Sequence, residues 1–168
     1  RDREGNTIFM FRVALHFGGD ATQEEMRHWC ICLIEWTRYC LKDITELRDQ
    51  ALVVFDLTGF SLKNADYTTI KFIADVFEAH YPECLAHIYI YNAPWVFLTF
   101  WNIIKNWLDP VVSSKIRFLK DEKELDEVIA PDQLPSFMGG TDEYMGDYIA
   151  PSRSDYQTKP KDATYQKL

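Results

Sequence analysis

Gln50 to Gly59 reads Gln-Ala-Leu-Val-Val-Phe-Asp-Leu-Thr-Gly, and this stretch decides the fold. Gln50 to Leu57 is a continuous apolar run broken only at its end, by Asp56. A strand with one solvated face alternates apolar and polar residues, whereas a run without alternation is expected of a central parallel strand covered on both faces. Thr58-Gly59-Phe60 turns the chain. Asn64 or Asp66 then caps a helix to about His80, with Ile70, Phe72, Ile73, Val76 and Phe77 at core spacing.

The pattern repeats on both sides. Upstream, Thr7 to His16 is apolar and β-prone, and Gly18-Gly19-Asp20 breaks it. A long helix starts at Ala21 or Thr22 and runs to about Leu41, with Glu24 and Glu25 in the first turn, where the helix dipole favours acids. Downstream, His87 to Tyr91 and Lys115 to Leu119 read as short strands. Asp121 to Ile129 reads as a charged helix, Pro131 to Leu134 as a helical turn and Gly139-Gly140 as a chain reversal. Alternating strand and helix predict an α/β fold, a mostly parallel sheet flanked by helices with right-handed crossovers. One domain over residues 1–150 is expected, followed by a polar tail over 151–168.

Between the last two strands, Trp95 to Leu108 has a helical pattern that Asp109-Pro110 ends, because the residue before a proline is pushed out of the α region. At about 100° per residue, Phe97, Phe100, Trp101, Ile104, Trp107 and Leu108 fall within an arc of about 120°, opposite Thr99, Asn102, Lys105 and Asn106. At ~14 residues the helix is short of the ~20 that span a bilayer. Periodicity leaves two readings: a core-facing helix, or one that covers an apolar ligand or lies in a membrane interface, where Trp is favoured.

Apolar residues are 47% of the 168 and aromatics 15%, and the formal net charge is −8. That balance argues against nucleic acid as a partner and against general adhesion to anionic membranes, though a local basic cluster could still provide it. Cys30, Cys32, Cys40 and Cys84 match no metal or redox spacing, and reduced, buried thiols are expected, with Cys30 and Cys32 on different helix faces. Reduced thiols point to the cytoplasm or a cytosolic membrane face. The opening turn, Arg1 to Asn6, reads as the middle of a longer protein.

Phosphate-cradling loops, a Gly-x-Ser-x-Gly elbow and paired histidines are not found in the sequence, and no metal site or catalytic residue is expected. Asp56, at the C-terminal end of a central strand, is placed as an acid in an α/β enzyme would be, but a carboxylate there also caps the Leu57–Gly59 turn, the reading preferred here.

Five motifs then occur in order: Val54-Phe55-Asp56-Leu57-Thr58-Gly59, Tyr81-Pro82-Glu83, Tyr91-Asn92-Ala93-Pro94-Trp95, Leu108-Asp109-Pro110 with Lys115-Ile116, and Leu134-Pro135 to Gly139-Gly140. Together with Asp2-x-x-Gly5-Asn6-x-Ile8, they resemble a CRAL-TRIO lipid-binding domain over about Arg1 to Gly140, in particular the fungal phosphatidylinositol-transfer proteins of the yeast secretory type. The resemblance implies an apolar cavity that holds one lipid, closed by a mobile gate helix matching Trp95 to Trp107. Cavity and gate residues would be Ala51, Val53, Trp95, Phe97, Phe100, Trp101, Ile104 and Trp107. Glu83 and Lys115 match the family's contacts to the phosphoinositide headgroup.

Two departures stand out. Ala51 and Val53 replace the central-strand hydroxyls of phosphatidylcholine-binding members, and an apolar side chain cannot hydrogen-bond a desolvated phosphodiester. Phe137 stands where charged residues are common. The resemblance therefore implies a non-enzymatic protein without a cofactor, whose ligand is phosphatidylinositol or another hydrophobic lipid. It implies a monomeric, cytoplasmic protein with transient peripheral association with membranes. The alternative is a regulatory or scaffolding module that docks a protein or senses a sterol- or squalene-like lipid without transferring it.

Overall fold

A computed structural model describes residues 1–42, 50–81 and 83–143. The expected tail at 151–168, the end of the domain near 150 and Pro82 lie outside the described residues. Four strands, β1 (Thr7–Arg12), β2 (Ala51–Asp56), β3 (Leu85–Tyr91) and β4 (Ile116–Leu119), form one parallel sheet in the order β1-β2-β3-β4. Strands that add in one direction through right-handed crossovers put every crossover on the same face. Those crossovers are α1 (Gln23–Lys42), α2 (Tyr67–His80), and the pair α3 (Phe97–Ile104) and α4 (Pro110–Ser114).

The opposite face is left to whatever follows β4. There α5 (Glu122–Asp126) and 3₁₀ turns at Pro131–Gln133 and Ser136–Met138 bring Leu125, Ile129, Leu134 and Met138 onto Leu52, Val54, Tyr89, Tyr91 and Leu119. The reversal after them needs its glycines. Gly139 has φ +85°, and a Cβ on Gly140 would lie 1.9 Å from the Leu134 carbonyl oxygen.

The helix starts follow capping chemistry. Thr22 Oγ1 accepts from Glu25 N at 3.3 Å while the Glu25 carboxylate accepts from Thr22 N and Oγ1, a reciprocal capping box for α1. Asp66 caps α2 by accepting from Thr69 N at 3.0 Å and Thr69 Oγ1 at 2.7 Å.

Several boundaries differ from the sequence reading. β1 stops at Arg12 rather than His16, because β2 offers partners only as far as Asp56, opposite Arg12. The chain then makes a 3₁₀ turn, Val13–Leu15, whose neighbouring carbonyls, Ala14 and His16, accept from Asn64 Nδ2. The helix expected over Trp95 to Leu108 is α only from Phe97 to Ile104 and tightens to a 3₁₀ turn at Lys105–Trp107. Asn106 Nδ2 donates to the Asn102 carbonyl there, the local competition with the helix ladder that such side chains bring. Asp109-Pro110 ends that segment but also starts α4, with Asp109 accepting from Val111 N at 2.7 Å and Pro110 in the first turn. The charged helix expected to Ile129 ends at Asp126, and Ile129 is fully buried.

The thiols need one correction. Cys30 and Cys32 are free thiols, and Cys30 is buried, but Cys32 is exposed. Residues two apart on a helix cannot both face the core.

Candidate functional site

The two faces of β2 are not equally covered. Leu52 and Val54, on the face under α5, are both 0% exposed. Val53 and Phe55, on the crossover face, are only half-buried. The register aligns them with Phe9 and Phe11 on β1 and with Ile88 and Ile90 on β3. Phe11 and Phe55 stack at 5.4 Å, and Phe9 and Phe11 are half-buried too. Phe9, Phe11, Val53 and Phe55 belong to neither buried cluster among the described residues. The continuous apolar run was expected to be covered on both faces. It is sealed on one and only partly covered on the other.

The segment after β3 lies beside this open strip. Its entry is fixed by Asn92, the one non-glycine residue with positive φ (50°) among the described residues, which donates through Nδ2 to Thr58 Oγ1 at 2.9 Å. Phe97, Phe100 and Ile104 are buried against Leu57, Phe60 and Ile90, with Trp101 and Trp107 half-buried around them. Phe60 meets the Phe97 ring edge-on at 5.4 Å, and Trp101 meets Phe118 at 5.3 Å. The inner arc read from periodicity is therefore the packed one. Thr99, Asn102, Lys105 and Asn106 are exposed. Trp95 stands apart from the buried set at 82% exposed, joined on the outside by Leu98 and Ile103 and, on α4, by Val111.

The remaining sequence candidates sit at the two ends of the sheet. Lys115 precedes β4 and Glu83 precedes β3, so parallel pairing brings both to the N-terminal edge. Lys115 Nζ donates to the Leu85 carbonyl at 2.5 Å, and among the described residues no ion pair joins it to exposed Glu83. Gln50, which the sequence reading passed over, donates through Nε2 to the Glu83 carbonyl at 3.0 Å and so ties the start of β2 to this turn. Ala51, at the same end of β2, is buried. At the C-terminal edge, buried Asp56 accepts from Thr58 N at 2.9 Å, the turn-capping role. Among the described residues no group of three His, Cys, Asp or Glu side chains is placed to hold a metal.

Polar contacts hold the crossovers over the open strip. His16 Nε2 lies 3.3 Å from Asp66 Oδ2. Burial pushes the Asp66 carboxyl up, but the hydrogen bonds from Thr69 N and Oγ1, with His16, outweigh it and hold the group below the ordinary carboxylate range. Burial, with Asp66 nearby, pushes the Cys30 thiol up to about 11.

The sequence matches the model of the CRAL/TRIO domain over residues 1–140. The chain belongs to that family. It is 46% identical over 154 residues to a phosphatidylinositol transfer protein, CSR1, of Eremothecium gossypii, covering 91% of this chain and 35% of the relative. It is 38% identical to the CRAL-TRIO domain-containing protein C3H8.02 of Schizosaccharomyces pombe, covering 92% of this chain and 34% of that protein. The chain thus spans about a third of these curated relatives. The crystal structure of Sfh5 superposes with a TM-score of 0.59 at 19% identity, over 94% of this chain and 60% of that one, a likeness of fold. No helix among the described residues of this CRAL-TRIO chain is long and apolar enough to cross a membrane.

Proposed function

We propose that this chain is a non-enzymatic module that binds one phospholipid, phosphatidylinositol foremost, and moves or presents it between membranes. The observation that carries this reading is the incompletely buried apolar strip of Val53 and Phe55, with Phe9 and Phe11 beside it, in the middle of a parallel sheet. A central strand stabilises the fold most when both faces are packed, so apolar side chains left partly exposed there are suited to an apolar ligand. The resemblance in sequence to a phosphatidylinositol transfer protein supports the same class of ligand.

On this reading the acyl chains lie on the open strip, and the segment from Trp95 to Trp107 is the gate. Its inner side, Phe97, Phe100 and Ile104, would trade protein contacts for lipid. Its outer side, Trp95, Leu98 and Ile103, has the exposed apolar surface that an interfacial segment needs. Asn92, with its left-handed backbone, and the extended Leu108 bracket the segment as hinges. The headgroup would reach the N-terminal edge, where the Lys115 ammonium is held by one carbonyl and keeps two N–H donors for a phosphate, and Glu83 accepts inositol hydroxyls. With Val53 apolar, phosphatidylcholine has no hydroxyl partner on the strip. The protein would work as a cytoplasmic monomer that touches membranes transiently.

Transfer of fluorescent phosphatidylinositol between vesicles tests the reading. The protein should accelerate it, and Lys115→Ala should slow it about tenfold, the loss of a charge-assisted hydrogen bond, with phosphatidylcholine transfer low in both. Phosphatidylinositol transfer unchanged in Lys115→Ala would remove the headgroup assignment, and no transfer by the wild type would remove the function.

A further inference from the structure

A second feature lies on the outside of the crossover layer. A groove of about 400 Å³ is lined by Arg27 of α1, by α2 from Tyr67 to Asp75 and by Trp107 at the far end of the proposed gate. Its floor is aromatic: Phe72, Tyr67 and Trp107, with Tyr67 meeting the Trp107 ring edge-on at 6.0 Å. Its rim carries Arg27, Lys71 and Asp75. The Arg27 guanidinium lies 5.3 Å from the centre of the Phe72 ring, and among the described residues no acceptor takes its N–H groups. A guanidinium placed over a ring with its donors open is ready for a bidentate phosphate. Lys71 binds Asp75 at 2.9 Å, but both side chains are more than half exposed, and an exposed i, i+4 pair is worth little and exchanges readily.

We propose that this groove binds the phosphate of an anionic phospholipid in the bilayer, so that the domain docks with the gate's Trp107 end against an acidic membrane. Charge complementarity selects the occupant. The chain as a whole carries −8, so its surface at large is repelled by an acidic bilayer, and attraction has to come from a placed cluster. The aromatic floor suits the glycerol and upper acyl region behind a phosphate, which a soluble anion would not use. Since Trp107 forms part of the floor, a lipid phosphate seated there bears on the segment that would open.

This inference rests on the lipid-exchange reading, and its test is separable from that reading. Sedimentation of the full chain with phosphatidylcholine vesicles, and with vesicles containing 30% phosphatidylserine, reads docking whether or not a lipid is loaded. The wild type should bind the acidic vesicles on the order of tenfold more strongly, and high salt should abolish the difference. Arg27→Gln with Lys71→Gln should reduce binding to the level on neutral vesicles, while Lys123→Gln, on the far side of the sheet, should change nothing. Asp75→Asn should strengthen acidic-vesicle binding by freeing Lys71. The phospholipid recovered from the protein by extraction should be the same in all variants. Equal binding of the double variant and the wild type to acidic vesicles would overturn the proposal. So would a variant that docks normally but loads no phospholipid, which would assign the groove to the cargo instead.

Discussion

β2 offers two faces of one strand for comparison. On one, Leu52 and Val54 vanish under Leu125, Ile129, Leu134 and Met138. On the other, Val53 and Phe55 stay half-buried beneath crossovers that Asp66 and Asn64 tie to the end of β1. Residues one apart in the same apolar run thus do different work. The first face is closed core, and the second is less completely covered. In a family that handles lipids, the less covered face of the sheet is where a ligand would complete the packing.

The largest effect that could break the comparison is on stability. Leu52→Ala and Leu134→Ala should each cost about 2–5 kcal/mol in chemical denaturation, as deletions in a closed core do. Val53→Ala, one residue along, should cost under about 1 kcal/mol, since only part of its surface leaves water on folding. Comparable losses at Leu52 and Val53 would mean that the strip is packed core after all.

Next in size is the tie between the crossovers and β1. Asp66→Ala should cost about 1 kcal/mol, the usual loss of an N-cap. The Asp66 carboxyl is held below its ordinary range, so the charged form is the one that the fold stabilises. That contribution is full above about pH 4, the ordinary carboxylate value, and is lost as pH falls through the lower native value. Acid titrations of stability should therefore be shallower for Asp66→Asn below pH 4 than for the wild type.

The smallest effect is chemical. Iodoacetamide at pH 8 should label exposed Cys32 well before Cys30, which is buried and titrates only at about 11. Mass spectrometry of partly labelled protein checks the order, and rapid labelling of Cys30 would show that α1 lifts from the layer below.

Much of this arrangement was legible in the sequence. The alternation of apolar runs and amphipathic segments identified all four strands, and cap residues such as Asp66 located helix starts. The inner arc of Phe97, Phe100 and Ile104 followed from the 3.6-residue period. The partly covered strip was legible only through the family resemblance, which put Val53 in the cavity, because Val53 and Phe55 look the same in an apolar run whether or not a helix covers them. α4 was missed although Asp109-Pro110 is both a helix stop and a cap followed by an N1 proline. Trp95 was counted among the cavity and gate residues through the family resemblance, yet it lies before the first helical turn and is exposed. Contacts such as Lys115 to Leu85 and Asn64 to Ala14 join residues 30 and 50 apart, a distance at which sequence periodicity is silent.

The central claim is that the half-covered face of the sheet holds a single phospholipid. Native mass spectrometry of the full chain after incubation with phosphatidylinositol-containing vesicles and removal of the vesicles tests it most directly. The account predicts a species heavier by one phosphatidylinositol, diminished when Val53→Asp puts a charge on the strip. A protein that keeps its bare mass, or gains phosphatidylinositol equally well with Val53→Asp, would contradict it.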